Sequence, residues 1–141
     1  MVIIGILIAL IAQDTTNKLW NKNNCMVIQE LKEVEKIVNP NTHLEALIGA
    51  NRYLILKFYT QTCPPCKKLQ TKLEEMRKQG LLNDVFILSI DAKEYPQLVE
   101  SYKVKSVPAI FVLKDGKVLY NAVGIDEVNY LFEKLLPQYE Y

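Results

Sequence analysis

The chain has 141 residues, 50% of them apolar, and its 17 basic and 16 acidic side chains leave a net charge of +1. That length supports one packed core but not two ordinary domains. The lysines are dispersed among acids and give no electrostatic footprint for nucleic acid. Three cysteines, two of them close together, do not make a disulfide-stapled secreted scaffold, which would carry several pairs.

Val2 to Ala12 is an uncharged apolar run. It has the length of a signal-peptide core and falls short of the ~20 residues needed to cross a bilayer as a helix. Two readings stay open: a signal-like or membrane-associating segment, and an apolar element packing on the domain or on a partner chain. No Lys or Arg precedes the run, and a cut after Ala12 would have Leu10 where a small residue is expected. Gln13 to Asn24 is rich in Asn, Lys and Thr and reads as a linker. The expected division is therefore 1–25, an apolar segment plus polar linker, and 26–141, one domain opened by Met26. The compartment stays open between cytoplasmic and membrane-associated or secretory.

In the segment Val27 to Val38, the residues Val27, Ile28, Leu31 and Val34 fit a helical stripe, while 34–38 also fits a first strand. Asn39-Pro40-Asn41-Thr42 breaks the chain and offers a cap to a helix over 43–48, which Gly49 ends. Tyr53 to Tyr59 is a mostly apolar run that reads as a buried strand. Lys67 to Met76 reads as a helix with Leu69, Leu73 and Met76 on one face, closed by Gly80. Val85 to Ile90 predicts a buried strand, and Tyr95 to Tyr102 a short helix with Pro96 in its first turn. Ala109 to Leu113 and Lys117 to Val123 flank Lys114-Asp115-Gly116, a hairpin signal. Asp126 to Leu136 predicts an amphipathic helix begun by Asp126 and stopped by Pro137. Strands alternating with helices imply an α/β sheet covered on both faces.

Between the second strand and its helix stands Cys63-Pro64-Pro65-Cys66. Two thiols three residues apart form the smallest unit that exchanges disulfides. Cys63 falls at the helix N-terminus, where unpaired N–H groups and the positive end of the dipole favour a thiolate and lower its pKa below the ~8.5 of a free thiol. Cys63 is therefore the expected nucleophile, and Cys66, one turn further in and more covered, the resolving thiol. The prolines are tolerated because first-turn N–H groups have no partner within the helix, yet each removes a donor, leaving the Cys66 N–H as the nearest one for the Cys63 sulfur.

Three separated signals agree: Cys63-Pro64-Pro65-Cys66-Lys67, Ser106-Val107-Pro108, and Lys114-Asp115-Gly116 followed by Val123-Gly124. On these the chain resembles the thioredoxin family across about residues 34 to 138. The resemblance implies a thioredoxin fold, a central mixed sheet of four to five strands with helices on both faces, here behind an N-terminal apolar extension. It further implies a protein-disulfide oxidoreductase, with Pro108 cis and lying against the dithiol, and with Thr62, Pro64, Pro65, Val107, Val123 and Gly124 bordering a substrate groove. Disulfide-containing client proteins and an external reductant would be the partners, and no bound organic cofactor or metal is required.

Two departures stand out. Thr62 occupies the position where the family has tryptophan. Lys57 stands six residues before Cys63, where the family carries a buried aspartate that accepts the proton of the second cysteine. Strand alternation aims Lys57 into the space beneath the motif. There it either tunes the dithiol, as an amine that accepts the Cys66 proton or as a cation that stabilises a thiolate, or its ammonium snorkels to water. The expected activity is reduction of protein disulfides, with oxidase or isomerase the alternative direction. From other classes, a zinc site would draw on Cys25, His43, Cys63 and Cys66 but lacks a second close pair, and a non-catalytic binding module would have no use for both thiols. Taken singly, His43 reads as a half-exposed helix residue and Cys25 as a free linker thiol.

Overall fold

The computed structural model describes residues 26–36 and 53–136. The apolar run at 2–12, the linker, Cys25, the helix expected over 43–48 and Pro137 lie outside the described residues. No helix among the described residues is long and apolar enough to cross a membrane.

The elements in order are β1 (Val27–Glu30), α1 (Leu31–Glu35), β2 (Tyr53–Tyr59), α2 (Pro64–Lys78), β3 (Val85–Asp91), α3 (Pro96–Ser101), β4 (Ala109–Lys114), β5 (Lys117–Val123) and α4 (Ile125–Tyr130), which runs into a π-helical turn (Leu131–Leu135). They build a five-stranded mixed sheet in the order β1-β3-β2-β4-β5. β3 pairs in parallel with both β1 and β2, while β4 runs antiparallel to β2 and β5. This is the thioredoxin fold expected from the sequence, with its outer strands β1 and β5 exposing unpaired edges within the described residues.

Period-two alternation sends the side chains of β2, β3 and β4 to two apolar layers, whereas β5 buries only Ala122. Leu54, Leu56 and Phe58 of β2 join Phe86, Leu88 and Ile90 of β3 under α1 and α3. Ile55 joins Ile87, Ile110 and Val112 under α2 and the C-terminal helix, where Leu69, Leu73, Met76, Val128 and Phe132 close the layer. In the first layer Phe111 packs edge-on to Phe58 at 5.9 Å between ring centroids, a geometry worth ~0.5–1.5 kcal/mol beyond area burial.

Two expectations at the ends of elements are corrected. The stretch beginning at Val27 is not one helix, and Val34 to Lys36 is not strand: 27–30 pairs with β3 in the register Val27↔Phe86 and Glu30↔Ser89, and the helix occupies Leu31–Glu35, while 37–38 lie outside the described residues. Four residues are too few for apolar spacing to separate strand from helix, and the neighbouring strand decides. The C-terminal helix is capped at Gly124, not Asp126: Gly124 adopts φ +83 with no side-chain cap, and Asp126 sits inside the first turn. There its charge favours the helix dipole without capping it.

The hairpin follows its signal. Asp115 and Gly116 both have positive φ, +52 and +79, as a two-residue hairpin turn demands. A register shift at Val112/Leu113 adds a bulge to the β4–β5 ladder.

Candidate active site

β2 ends at Tyr59, and within four residues α2 begins. Pro64 and Pro65 occupy its first two positions and Cys63 is the N-cap, with extended backbone at φ −96 and ψ 105. The Cys63 sulfur accepts the Cys66 N–H at 3.2 Å, standing where a serine or aspartate oxygen usually caps a helix. The Cys63 carbonyl receives the Lys67 N–H at 3.2 Å and opens the helical ladder. Both prolines therefore sit where their missing N–H groups cost the helix nothing, and the one local donor left for the sulfur is used.

Cys63 and Cys66 are joined as a disulfide, with Cα atoms 5.2 Å apart. Both side chains are covered, Cys63 at 9% exposure against 5% for Cys66. The Val107–Pro108 bond is cis, and the Val107 carbonyl oxygen lies 3.8 Å from Cys63 Sγ. A disulfide sulfur has no hydrogen to donate, so this approach becomes a hydrogen bond only in the dithiol form. The Pro108 carbonyl accepts the Gly124 N–H at 2.9 Å, tying the end of β5 to the same corner. Val123, opposite Ala109 in the ladder, stays exposed there, and its N–H donates to Glu127 Oε2 at 2.8 Å. Of the predicted groove positions, Thr62 and Pro64 are exposed and Pro65, Val107 and Gly124 partly exposed; Thr62, Pro64, Pro65 and Val107 adjoin the cysteines or Pro108 in the chain, and Gly124 is bonded to Pro108.

Lys57 is buried at 3% exposure, so the snorkelling alternative is corrected. Its Nζ donates to Gln70 Oε1 on α2, and it lies 5.8 Å from the Tyr59 ring centroid. Gln70 Nε2 in turn donates to Glu74 Oε1 at 3.3 Å, and Arg77 clamps Glu74 Oε2 through Nε at 3.0 Å and Nη2 at 2.9 Å. Burial pushes the Lys57 pKa from 10.5 down to about 8, against the opposing pull of Glu30 and Glu74. Beside it, Tyr59 OH donates to Glu30 Oε2 at 2.8 Å. Burial first, then that carboxylate, pushes the Tyr59 phenol up, and burial raises Glu30. Ser89, level with Lys57 on β3, buries its hydroxyl with no partner among the described residues.

Sequence reasoning missed Gln70. The available signal was its spacing, four residues after Cys66 and four before Glu74 on one helix face. Of the four ligands in the zinc alternative, Cys63 and Cys66 are bonded to each other, and Cys25 and His43 lie outside the described residues.

Comparison with known proteins agrees with this geometry. The thioredoxin family model matches residues 34–136. A thioredoxin of Echinococcus granulosus is 33% identical over 84 residues, covering 60% of this chain and 77% of the relative. One from Chlamydia trachomatis is 32% identical over 91 residues, covering 64% and 86%. Among solved structures, one from a complex of ferredoxin:thioredoxin reductase with thioredoxin f2 superposes with a TM-score of 0.57 at 20% identity, covering 77% of this chain and 90% of the other. At that identity the superposition speaks for the fold alone.

Proposed function

The chain belongs to the thioredoxin family, and from that premise we propose that it reduces protein disulfides through the Cys63/Cys66 dithiol. Cys63 attacks one sulfur of the client disulfide. The resulting mixed disulfide is resolved by Cys66, whose thiolate attacks Cys63 Sγ, forms the intramolecular disulfide and releases the client as a dithiol. The client gains two electrons and the Cys63/Cys66 pair loses them, so an external reductant must restore the pair. A reductase is the partner this reading requires, as ferredoxin:thioredoxin reductase is for the thioredoxin f2 solved with it.

The observation that carries the reading is the placement of Cys63 as N-cap of α2, where its sulfur already accepts a backbone N–H and faces the Val107 carbonyl beside cis-Pro108. A thiolate there gains the helix N-terminus as well. Thr62, Pro64, Pro65, Val107, Val123 and Gly124 form the client groove, with the Val107 backbone pairing an extended client strand. Lys57 sets the ionisation of the dithiol. No resident organic cofactor enters this cycle.

Insulin reduction by the wild type, Cys63→Ser and Cys66→Ser tests the reading. Wild type is expected to be active, Cys63→Ser inactive, and Cys66→Ser to accumulate a mixed disulfide detectable by mass. A wild type without dithiol-dependent activity would defeat it. The buried Lys57 favours a second direction, because a cation beneath the pair stabilises the thiolate form and makes the disulfide more oxidising. Titration against glutathione separates the two: a potential near about −270 mV marks a reductase, and one near about −180 mV or above marks an oxidase or isomerase.

A further inference from the structure

Lys57 is a buried base on the face of β2 that packs against α2, the helix that carries the dithiol at its start. On β2, Ile55 packs with Leu69 and Leu73 of α2. Lys57, two residues on, faces the same helix and reaches Gln70. Gln70 lies one helical turn beyond Cys66 on a shared face. Gln70 spends its Nε2 on Glu74, and Glu74 is held by Arg77. Oε1 is thereby the end of the amide that meets the ammonium.

We propose that Gln70 is a positioning residue for the resolving step: clamped by Glu74, it holds the Lys57 amine beneath Cys66 and sets the pH at which that amine takes the Cys66 proton. The inference rests on the dithiol reading above. In the mixed disulfide the Cys66 S–H bond breaks and its proton passes to Lys57 Nζ in the amine form. The Cys66 thiolate then attacks Cys63 Sγ, the Cys63–client bond breaks, and the client thiolate leaves and is protonated by water. In the oxidised state Lys57 Nζ stays bonded to Gln70 Oε1, a contact that both the amine and the ammonium can make, so Gln70 can hold Nζ in place before and after the transfer.

The groups facing Lys57 are Glu30 at the end of β1, Tyr59 on its own strand, Ser89 on β3, Ile110 on β4, and Gln70 and Glu74 on α2, while Asp91 lies opposite Tyr59. Glu30 and Glu74 favour the ammonium and burial opposes it, leaving the amine accessible near neutral pH. Gln70 is the polar contact that tips this balance.

The test uses a preformed mixed disulfide of Cys63 with thionitrobenzoate and follows release of the coloured thiol against pH. Gln70→Leu removes the ammonium's acceptor and is expected to move the low-pH limb down by about one pH unit. Gln70→Glu, of nearly the same shape, supplies a countercharge and is expected to move it up by about as much. On a Lys57→Met background, Gln70→Leu should move nothing. Limbs that stay put, shift in the same direction, or still shift without Lys57 would overturn the proposal. Because thionitrobenzoate release needs no protein client, its outcome is independent of whether insulin is reduced.

Discussion

Replacing Lys57 with methionine removes a buried charge while keeping the length of the stem, and its effect on stability should be a function of pH. The folded protein holds the Lys57 proton less tightly than the unfolded chain, with a pKa of about 8 against 10.5. Between those values the unfolded chain still carries the proton after the folded protein has released it. The unfolded state then binds more protons, and stability rises with pH across that window. Below about pH 8 both states are charged, and the cost of burying the ammonium is fully present. Above pH 10.5 both are neutral and the cost is gone. At ~1.4 kcal/mol per pH unit, the difference amounts to about 3 kcal/mol. Urea unfolding of the oxidised proteins between pH 7 and pH 10.5 measures it, with the disulfide intact so that the cysteines do not titrate. Lys57→Met should be the more stable protein at pH 7, less the ~1 kcal/mol of the lost bond to Gln70, and its advantage should shrink by about 3 kcal/mol as the pH rises. Tyr59 and Glu30 are present in both proteins, so their own titrations cancel to first order when the two proteins are compared. A difference between the proteins that does not vary with pH would refute the reasoning.

Leu73, fully buried on the sheet-facing side of α2, should cost ~2–5 kcal/mol on Leu73→Ala, read as a lower denaturant midpoint; a loss under about 1 kcal/mol would mean that α2 is not docked through this face. Ser89→Ala removes a buried hydroxyl with no partner among the described residues, so it should be neutral or stabilising by up to ~1–2 kcal/mol in the same assay; clear destabilisation would show that the hydroxyl is bonded.

The parts of the fold that were legible in the sequence are those where one local rule acts alone. Apart from Lys57 the run Tyr53 to Tyr59 is apolar or aromatic and reads as a buried strand, Asp115-Gly116 supplies the positive φ that its turn needs, and the two prolines after Cys63 can enter a helix only in its first turn. β1 was not legible, because four residues carry no resolvable period and their conformation is set by pairing with Phe86 to Ser89, far along the chain. The cap at Gly124 was obscured by a better-looking candidate two residues later. The pairing of Cys63 with Cys66 and the place of Cys63 at the helix start follow from spacing and helix direction. The bond from Lys57 to Gln70 joins residues on different elements, and only the packing of α2 on β2 brings them together.

The two edges of the sheet bear on how copies of this protein avoid one another. An edge strand is a template on which another chain can add a strand, and each edge here is blunted in its own way. β1 offers only four residues and ends on the charge of Glu30. β5 is longer and exposes Val118 and Leu119, but it opens on Lys117, and the bulge at Val112/Leu113 disturbs the regular ladder beside it. Among the described residues, short length, charge and a break in the ladder thereby limit strand addition at both edges.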